Sequence, residues 1–284
     1  RFETLTLLDS AFRTGLSCWH DKENYMADVN SVHTPPVATV TLDRPDDLNR
    51  MTPNSMQLLG KIVRQIVNDS EIHAVVLTGS GEEVFSAGLL NPDIRGAMSK
   101  EQVIEFVLLA NRVFDELAAL PQIVICALNG NVLAGAVELA LACDIRLAAD
   151  DITLAMPEAK WGGFPGAGAP HRLAMAVGHA RALELICTGR QIDAVEMERI
   201  GLIQALHPRP LVKDAAQRMA KTMGTNGPLA TRGAKSILRE RRAPGFSRAR
   251  ALSDELRKTL EWSEDVDEGL AAHRDGRAPV FKGR

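Results

Sequence analysis

Two glutamates, Glu138 and Glu158, are the side chains best placed to do chemistry. Both lie in one stretch, IVICALNGNVLAGAVELALACDIRLAADDITLAMPEAKWGGFPGAGA, from Ile123 to Ala169. Glu138 interrupts an apolar segment, Val137 to Cys143, that is too long for a strand. A carboxylate there is costly to ionise unless something interacts with it. Glu158 follows Met156-Pro157 and precedes a glycine-rich run. Upstream, the small residues Ala134-Gly135-Ala136 read as a tight turn into a helix. Such a helix start leaves amide N–H groups unpaired at the positive end of the dipole, where developing negative charge is favoured. Gly135 has no Cβ, so a ligand can approach its backbone closely. Glu138 lies one helical turn on, on the same face as Gly135. A second strand-to-loop turn, Ser86-Ala87-Gly88-Leu89, can supply another amide. Two convergent amides make an oxyanion hole, and two carboxylates beside it can move protons next to a carbonyl. Taken singly, Glu138 could pair with an arginine, Glu158 could sit in a turn, and the small residues could serve close packing. The joint pattern is the specific one.

The elements that must hold these groups read as alternating strands and helices. Phe2 to Leu8 predicts a first strand, and Ser10 to Pro36, polar and carrying Trp19 and Tyr25, a long loop or insertion. Val37 to Asp43 is strand-like, Arg44 to Asp47 a turn. Thr52 caps a helix to Asn68 with Met56, Leu59, Ile62, Val63 and Ile66 on one face. Ala74 to Thr78 is a buried strand, Val84 to Arg95 is loop-like, and Lys100 to Leu120 is an amphipathic helix ended by Pro121. After the central stretch, His171 to Gly178 and Ala180 to Thr188 predict helices, Asp193 caps a short one, and Leu202 to Leu206 predicts a last strand. The remainder is helical. The alternation implies α/β with largely parallel pairing, a core over 1–208 and a helical part over 209–284.

Composition bounds the function. With 284 residues, 45% apolar and 24% charged, the chain can bury a full core. A net charge of −3 gives no reason to expect nucleic acid or an anionic membrane as partner. The four cysteines are far apart, and Cys126, Cys143 and Cys187 lie in apolar runs that read as buried structural thiols, so no metal site is expected. No apolar run approaches the roughly 18 residues of a membrane span. A soluble, cytoplasmic protein is expected.

The chain resembles the enoyl-CoA hydratase/isomerase (crotonase) superfamily. The resemblance is carried by NGNVLAGAVELALACDI (Asn129 to Ile145), VATVTLDRPDDLNRM, AMPEAKWGGFPGAG, TGRQIDAVEMERIGLI and the tail EGLAAHRDGRAPVFKGR. It implies a spiral of ββα units closed by C-terminal helices that build trimers or dimers of trimers. It implies an acyl-CoA thioester substrate, with no further cofactor, and an enolate stabilised at the thioester. By position it puts the oxyanion amides on Leu89 and Gly135, the acid–base glutamates on Glu138 and Glu158, and a water-positioning glycine on Gly166. The CoA adenine is expected along the backbone of Leu48, Asn49 and Arg50, the CoA arm near Ala87, and a CoA phosphate near Lys282. Leu90 and Trp161 are expected at the acyl pocket.

Hydratases of this superfamily resemble the chain in carrying both glutamates, whereas simple isomerases typically keep only the one at the Glu158 position. The expected reaction is therefore hydration of a 2-enoyl-CoA, or the reverse dehydration. Other crotonase chemistry (isomerase, hydratase-lyase, C–C hydrolase) and a non-catalytic binding role are the alternatives. Three features depart from the pattern: the run AGLLNPDI carries extra residues at the acyl pocket, His273 replaces the usual phenylalanine of the tail, and the 10–36 stretch has no counterpart.

Overall fold

The fold was analysed in a computed structural model that describes residues 28–242 and 246–281. β1 (Val29–Thr34) and β2 (Val37–Leu42) form an antiparallel hairpin, with Thr34 opposite Val37. This corrects the loop expected over Ser10–Pro36 at its end. β1 is an edge strand whose outer half is exposed, so its polar residues Asn30, Ser31 and His33 hide its pairing from a hydrophobic pattern. The rest of that stretch, and the strand expected at Phe2–Leu8, lie outside the described residues.

α1 (Pro53–Val67) follows, with a reciprocal cap: the Thr52 hydroxyl accepts from the Ser55 amide and the Ser55 hydroxyl from the Thr52 amide, both at 3.1 Å. The chain then repeats one theme. β3 (Ala74–Gly79) leads to the short β4 (Val84–Ser86) and to helices α2 (Pro92–Gly96) and α3 (Lys100–Ala119). β5 (Ile123–Leu128) leads to β6 (Asn131–Leu133) and α4 (Gly135–Ala142). β7 (Ile145–Ala149) leads to β8 (Thr153–Ala155), a 3-10 turn at Pro157–Trp161, α5 (Ala169–Val177) and α6 (His179–Thr188). β9 (Ile192–Asp193), α7 (Ala194–Arg199) and β10 (Ala205–His207) complete it. The segment expected as loop, Val84 to Arg95, thus contains a strand and a short helix, and the last strand starts later than Leu202.

Each turn of the chain contributes a long strand to a six-stranded sheet, ordered β1-β2-β3-β5-β7-β10, and a short one to a four-stranded sheet, ordered β4-β6-β8-β9. β2, β3, β5, β7 and β10 are parallel neighbours, so each passage needs a crossover, which the intervening short strand and helix provide. The product is a spiral of ββα turns. β3 is buried along its whole length, which is why it reads as an unbroken apolar run. α4 is buried on every side, so it is apolar all round except at Glu138. Cys126 and Cys143 are buried as expected, but Cys187 is exposed, because it sits on the outer face of α6. Among the described residues no helix is long and apolar enough to cross a membrane.

The helical remainder comprises α8 (Val212–Gly224), α9 (Pro228–Arg242), α10 (Phe246–Glu261) and α11 (Glu264–Asp275). Lys235 of α9 ties it to the core, donating to Asp144 at 2.6 Å and to the Gln122 carbonyl at 2.7 Å. Gly269 of α11 lies so close to Trp161 that a Cβ there would fall 2.5 Å from the Trp161 carbonyl carbon. The carboxyl ends of β3 and β5 are locked by Asn129, whose Oδ1 accepts from the Thr78 hydroxyl and the Gly79 amide, each at 3.0 Å. Asn129→Ala leaves the Gly79 amide without its acceptor, while the Thr78 hydroxyl keeps the Ala127 carbonyl at 3.0 Å, and is expected to cost about 2 kcal/mol, read from the midpoint of urea unfolding at unchanged slope.

Candidate active site

β4 and β6 end side by side, and the turns that leave them build the first wall of the site. Gly88, at φ +84°, packs against the entry to α4: a Cβ on it would lie 2.6 Å from the Leu133 carbonyl oxygen and 2.9 Å from the Gly135 nitrogen. Only glycine fits that conformation and that space. Ala134, just before α4, has φ 51° and ψ −126°, a region L-residues rarely adopt. This strained turn leads directly into α4. Among the described residues the N–H groups of Leu89 and Gly135 have no hydrogen-bond partner, and the Leu89 side chain rests on Gly135. Leu89 and Gly135 thus adjoin, each with an amide free of described partners.

The carboxylates come from the next two elements. Glu138, 2% exposed, sits one turn into α4. Its Oε1 accepts from the amides of Ala167 at 2.7 Å and Ala169 at 3.0 Å. The Gly163–Gly168 loop that supplies one of these donors is held by Asn111 of α3, which donates to the Gly166 carbonyl at 2.8 Å. Glu158 lies in the 3-10 turn after β8; the residue is half-buried, but its Oε2 is shielded from solvent and has no hydrogen-bond partner. A cavity of about 30 Å³ is lined by Leu89, Leu90, Gly135, Glu138, Glu158 and Gly166, with Val107, Phe164, Ala167 and Arg257 completing it. A larger, open hollow of about 310 Å³ lies over α11, but its walls are acidic side chains with Ala271 and Val280, and none of the expected site residues reaches it.

Burial raises the Glu158 pKa to about 8, helped by the charge of Glu138, and is only partly offset by its own backbone amide, Arg257 and Arg95. Burial also raises Glu138, against the Ala169 amide, Arg257, the Ala167 amide and Arg172, which favour its ionised form. The two groups titrate as a pair. Glu138 accepts from two N–H donors and lies in the field of Arg257 and Arg172, so it is the one that ionises first. Glu158, with an unmet oxygen, keeps the proton near neutrality.

The structure brings Glu138, Glu158, Leu89, Leu90, Gly135 and Gly166 to one cavity. It places Trp161 elsewhere: the ring packs edge-on against His273 of α11, centroids 6.3 Å apart, because that side of the turn is covered by α11. The Leu48–Arg50 segment adjoins the Ala87 turn, since the Ala87 amide donates to the Leu48 carbonyl and the Met51 amide to the Gly88 carbonyl, both at 2.9 Å. The Asn49 side chain is fully engaged in holding that corner: it accepts from the Arg44 amide and the Ser80 hydroxyl and donates to the Ser80 and Val84 carbonyls. Arg50 is buried and pairs with Asp47 at 3.5 Å. Lys282 lies outside the described residues. Among the described residues no cluster of side chains could hold a metal ion.

Sequence reasoning missed Arg257 of α10. It is 5% exposed and reaches the cavity from the helical part assigned only to assembly. Its guanidinium lies over the Phe164 ring at 5.0 Å and donates to the Phe164 carbonyl. Glu261, one turn on, joins it at 3.4 Å to Arg95 of α2, which bonds Glu261 at 2.7 Å. No local signal marks Arg257, because an arginine on an amphipathic helix ordinarily faces water.

The enoyl-CoA hydratase/isomerase family profile matches residues 33–284. The chain belongs to that family. It is 36% identical over 248 residues to the protein YngF of Bacillus subtilis, covering 87% of this chain and 95% of that one. It is 33% identical over 241 residues to the short-chain-enoyl-CoA hydratase of Clostridium acetobutylicum, covering 85% and 92%. The crystal structure of an enoyl-CoA hydratase from Bacillus anthracis superposes with a TM-score of 0.72 at 33% identity, over 90% of this chain and all of that one. The crotonase fold expected from the motifs is therefore the fold of this chain, and it is an enzyme of the enoyl-CoA hydratase/isomerase family.

The raised Glu158 pKa has a consequence for stability. The folded state holds a proton that the unfolded chain releases in the ordinary glutamate range, about 4.3. Its contribution is full below that range and is lost as pH rises to about 8. Glu158→Gln removes the titration, so the Tm of the variant relative to the unaltered protein is expected to rise steadily from acid to mildly alkaline pH. A pH-independent difference would mean that Glu158 titrates normally.

Proposed function

We propose that the chain is a hydratase acting on a 2-enoyl-CoA thioester, adding water across the 2,3 double bond or running the reverse dehydration. What supports this reading above all is the unequal pair of carboxylates in one cavity, Glu138 held for ionisation and Glu158 held protonated. Hydration needs that pair: a base to take a proton from water and an acid to give one to carbon.

In the proposed mechanism the thioester oxygen sits between the N–H groups of Leu89 and Gly135. Ionised Glu138 removes a proton from a water positioned near Gly166, and the oxygen of that water bonds to Cβ. The π electrons of the double bond shift toward the thioester, whose oxygen becomes the enolate anion held by the two amides. Glu158 delivers its proton to Cα on the same face, the double bond is consumed, and the 3-hydroxyacyl thioester is released. The two glutamates exchange protonation through the product's departure, so the cycle closes without a cofactor. The CoA moiety would lie along Leu48–Arg50 and Ala87, with Lys282 near a phosphate.

We also read the chain as a homotrimer or a dimer of trimers. Leu229 (86% exposed), Ile237 (72%) and Leu238 (57%) are apolar side chains of α9 left in the open around the helix, and a second copy would bury them. Micromolar light scattering should return a trimer or hexamer mass; a monomer contradicts the reading. The two buried free thiols, Cys126 and Cys143, fit a reducing compartment such as the cytoplasm.

Glu138→Gln and Glu158→Gln keep the shape and remove the titration. Each is expected to lower hydration turnover by two or more powers of ten, with little change in binding of a saturated CoA thioester. Near-normal hydration in Glu138→Gln, or double-bond migration dependent on Glu158 alone, contradicts the assignment. The pH profile of kcat/KM should fall as pH rises through about 8, where Glu158 loses its proton, and its acid limb should lie above the usual carboxylate range because Glu138 is raised.

A further inference from the structure

The buried face of α3 is apolar at Val107, Ala110, Val113, Phe114 and Leu117, and polar at Asn111, which is 3% exposed. A leucine would suit that face better, so the amide calls for a reason. Its Nδ2 donates twice, to the Gly166 carbonyl at 2.8 Å and to Asp254 of α10 at 3.1 Å. Its Oδ1 is shielded from solvent and has no hydrogen-bond partner. Turning the amide over would set that oxygen against two acceptors, so the orientation is fixed although the oxygen goes unmet. The Gly166 carbonyl and the Ala167 N–H belong to one peptide group, and that N–H donates to Glu138 at 2.7 Å. Asn111 thus bonds the far side of a peptide whose near side bonds a carboxylate of the site. A hydrogen bond accepted at the carbonyl polarises the peptide and strengthens the bond that its N–H donates. The second donor to Glu138 is built alike. The Ala169 N–H, at 3.0 Å, shares a peptide with the Gly168 carbonyl, which accepts from the Arg172 amide at 3.1 Å. The carbonyl between, that of Ala167, accepts from the Arg172 guanidinium at 3.2 Å.

From this geometry we infer that Asn111 is a positioning residue for the reaction: through the Gly166–Ala167 peptide it holds the Ala167 N–H on Glu138 and so favours the carboxylate that acts as base. The kinetic part of the inference rests on the hydratase reading, whereas the chain of hydrogen bonds does not. The charged groups around Glu138 are Glu158 from the 3-10 turn, Arg257 from α10 and Arg172 from α5, the last bonded to Asp115 of α3. Asp254 faces Asn111 itself. Burial works against ionisation of Glu138. Without Asn111 the Gly166 carbonyl loses this donor, the peptide is freer to turn, and the bond from Ala167 weakens. The balance at Glu138 then tips toward its protonated form, which cannot take a proton from water.

The test is Asn111→Leu, which keeps the approximate size, suits the apolar face and removes the donor. In Glu158→Gln protein labelled with carbon-13 at the glutamate carboxyls, the Glu138 resonance is identified by its loss on adding Glu138→Gln. Adding Asn111→Leu instead is expected to move its titration to higher pH. With Glu158 intact, kcat for hydration at neutral pH should fall about tenfold or more with KM little changed. The acid limb of the pH profile should move up, while the alkaline limb at about 8 stays. A role in packing alone would lower the Tm and leave the Glu138 midpoint and the acid limb in place, and that result overturns the inference. If Asn111→Leu does not fold, Asn111→Ala, which removes the donor without adding bulk, takes its place. Should neither fold, the Asn111 side-chain amide in Glu158→Gln decides: its nitrogen-15 resonance shifts with the Glu138 midpoint, or the inference falls. A raised Glu138 midpoint in Asn111→Leu, with no enoyl-CoA hydrated by the unaltered protein, leaves Asn111 in its role and removes the hydratase assignment. Hydration by the unaltered protein with an unmoved midpoint in Asn111→Leu does the reverse.

Discussion

The structure is built around the burial of two carboxylates in one small cavity. Left alone, two adjacent acids in apolar surroundings would both be protonated and chemically inert. Here the environment divides them. Glu138 receives two backbone N–H groups and the field of Arg257 and Arg172, while Glu158 has an unpaired oxygen and the repulsion of its neighbour. Much else follows from maintaining that difference. α4 is apolar all round because it must carry Glu138 into the interior. Asn111 holds the loop that supplies the Ala167 amide. Gly88 and the strained Ala134 let two turns from neighbouring strands meet at the entry to α4.

The C-terminal helices belong to the site as much as to any assembly. α11 covers the turn that bears Glu158, with Gly269 against Trp161 and Gly162, at φ +72°, against the Asp265 carbonyl. α10 sends Arg257 into the cavity and anchors it through Glu261 to Arg95 of α2. A buried ion pair of this kind is weak evidence for stability, since desolvation offsets much of its attraction. Its value lies in fixing where a guanidinium stands relative to two acids. The appended helices therefore complete a cavity that the spiral core begins.

Features encoded within a few residues of one another were legible in the sequence. The glycine-rich entry to α4, the helical offset from Gly135 to Glu138 and the second turn at Ser86–Leu89 each carry their geometry locally, and the structure unites them. Features that depend on distant packing were not. Arg257 lies far along the chain from the groups it touches, and its helix pattern looks like any solvated face. Trp161 was read from the motif around it, but α11 claims its ring. β1 was hidden because an edge strand exposed over half its length has no need of an apolar pattern. The side chain of Asn49 holds β3 and β4 together through bonds to residues more than thirty positions away, which its local sequence does not announce.

The division of one proton between Glu138 and Glu158 is most directly tested by a carbon-13 NMR titration of protein labelled at the glutamate carboxyls. The account predicts one carboxyl resonance that titrates near pH 8, is lost in Glu158→Gln, and titrates lower in Glu138→Gln because its charged neighbour is gone. If every glutamate carboxyl titrates in the ordinary range, the two groups are independent surface-like acids and the account is contradicted.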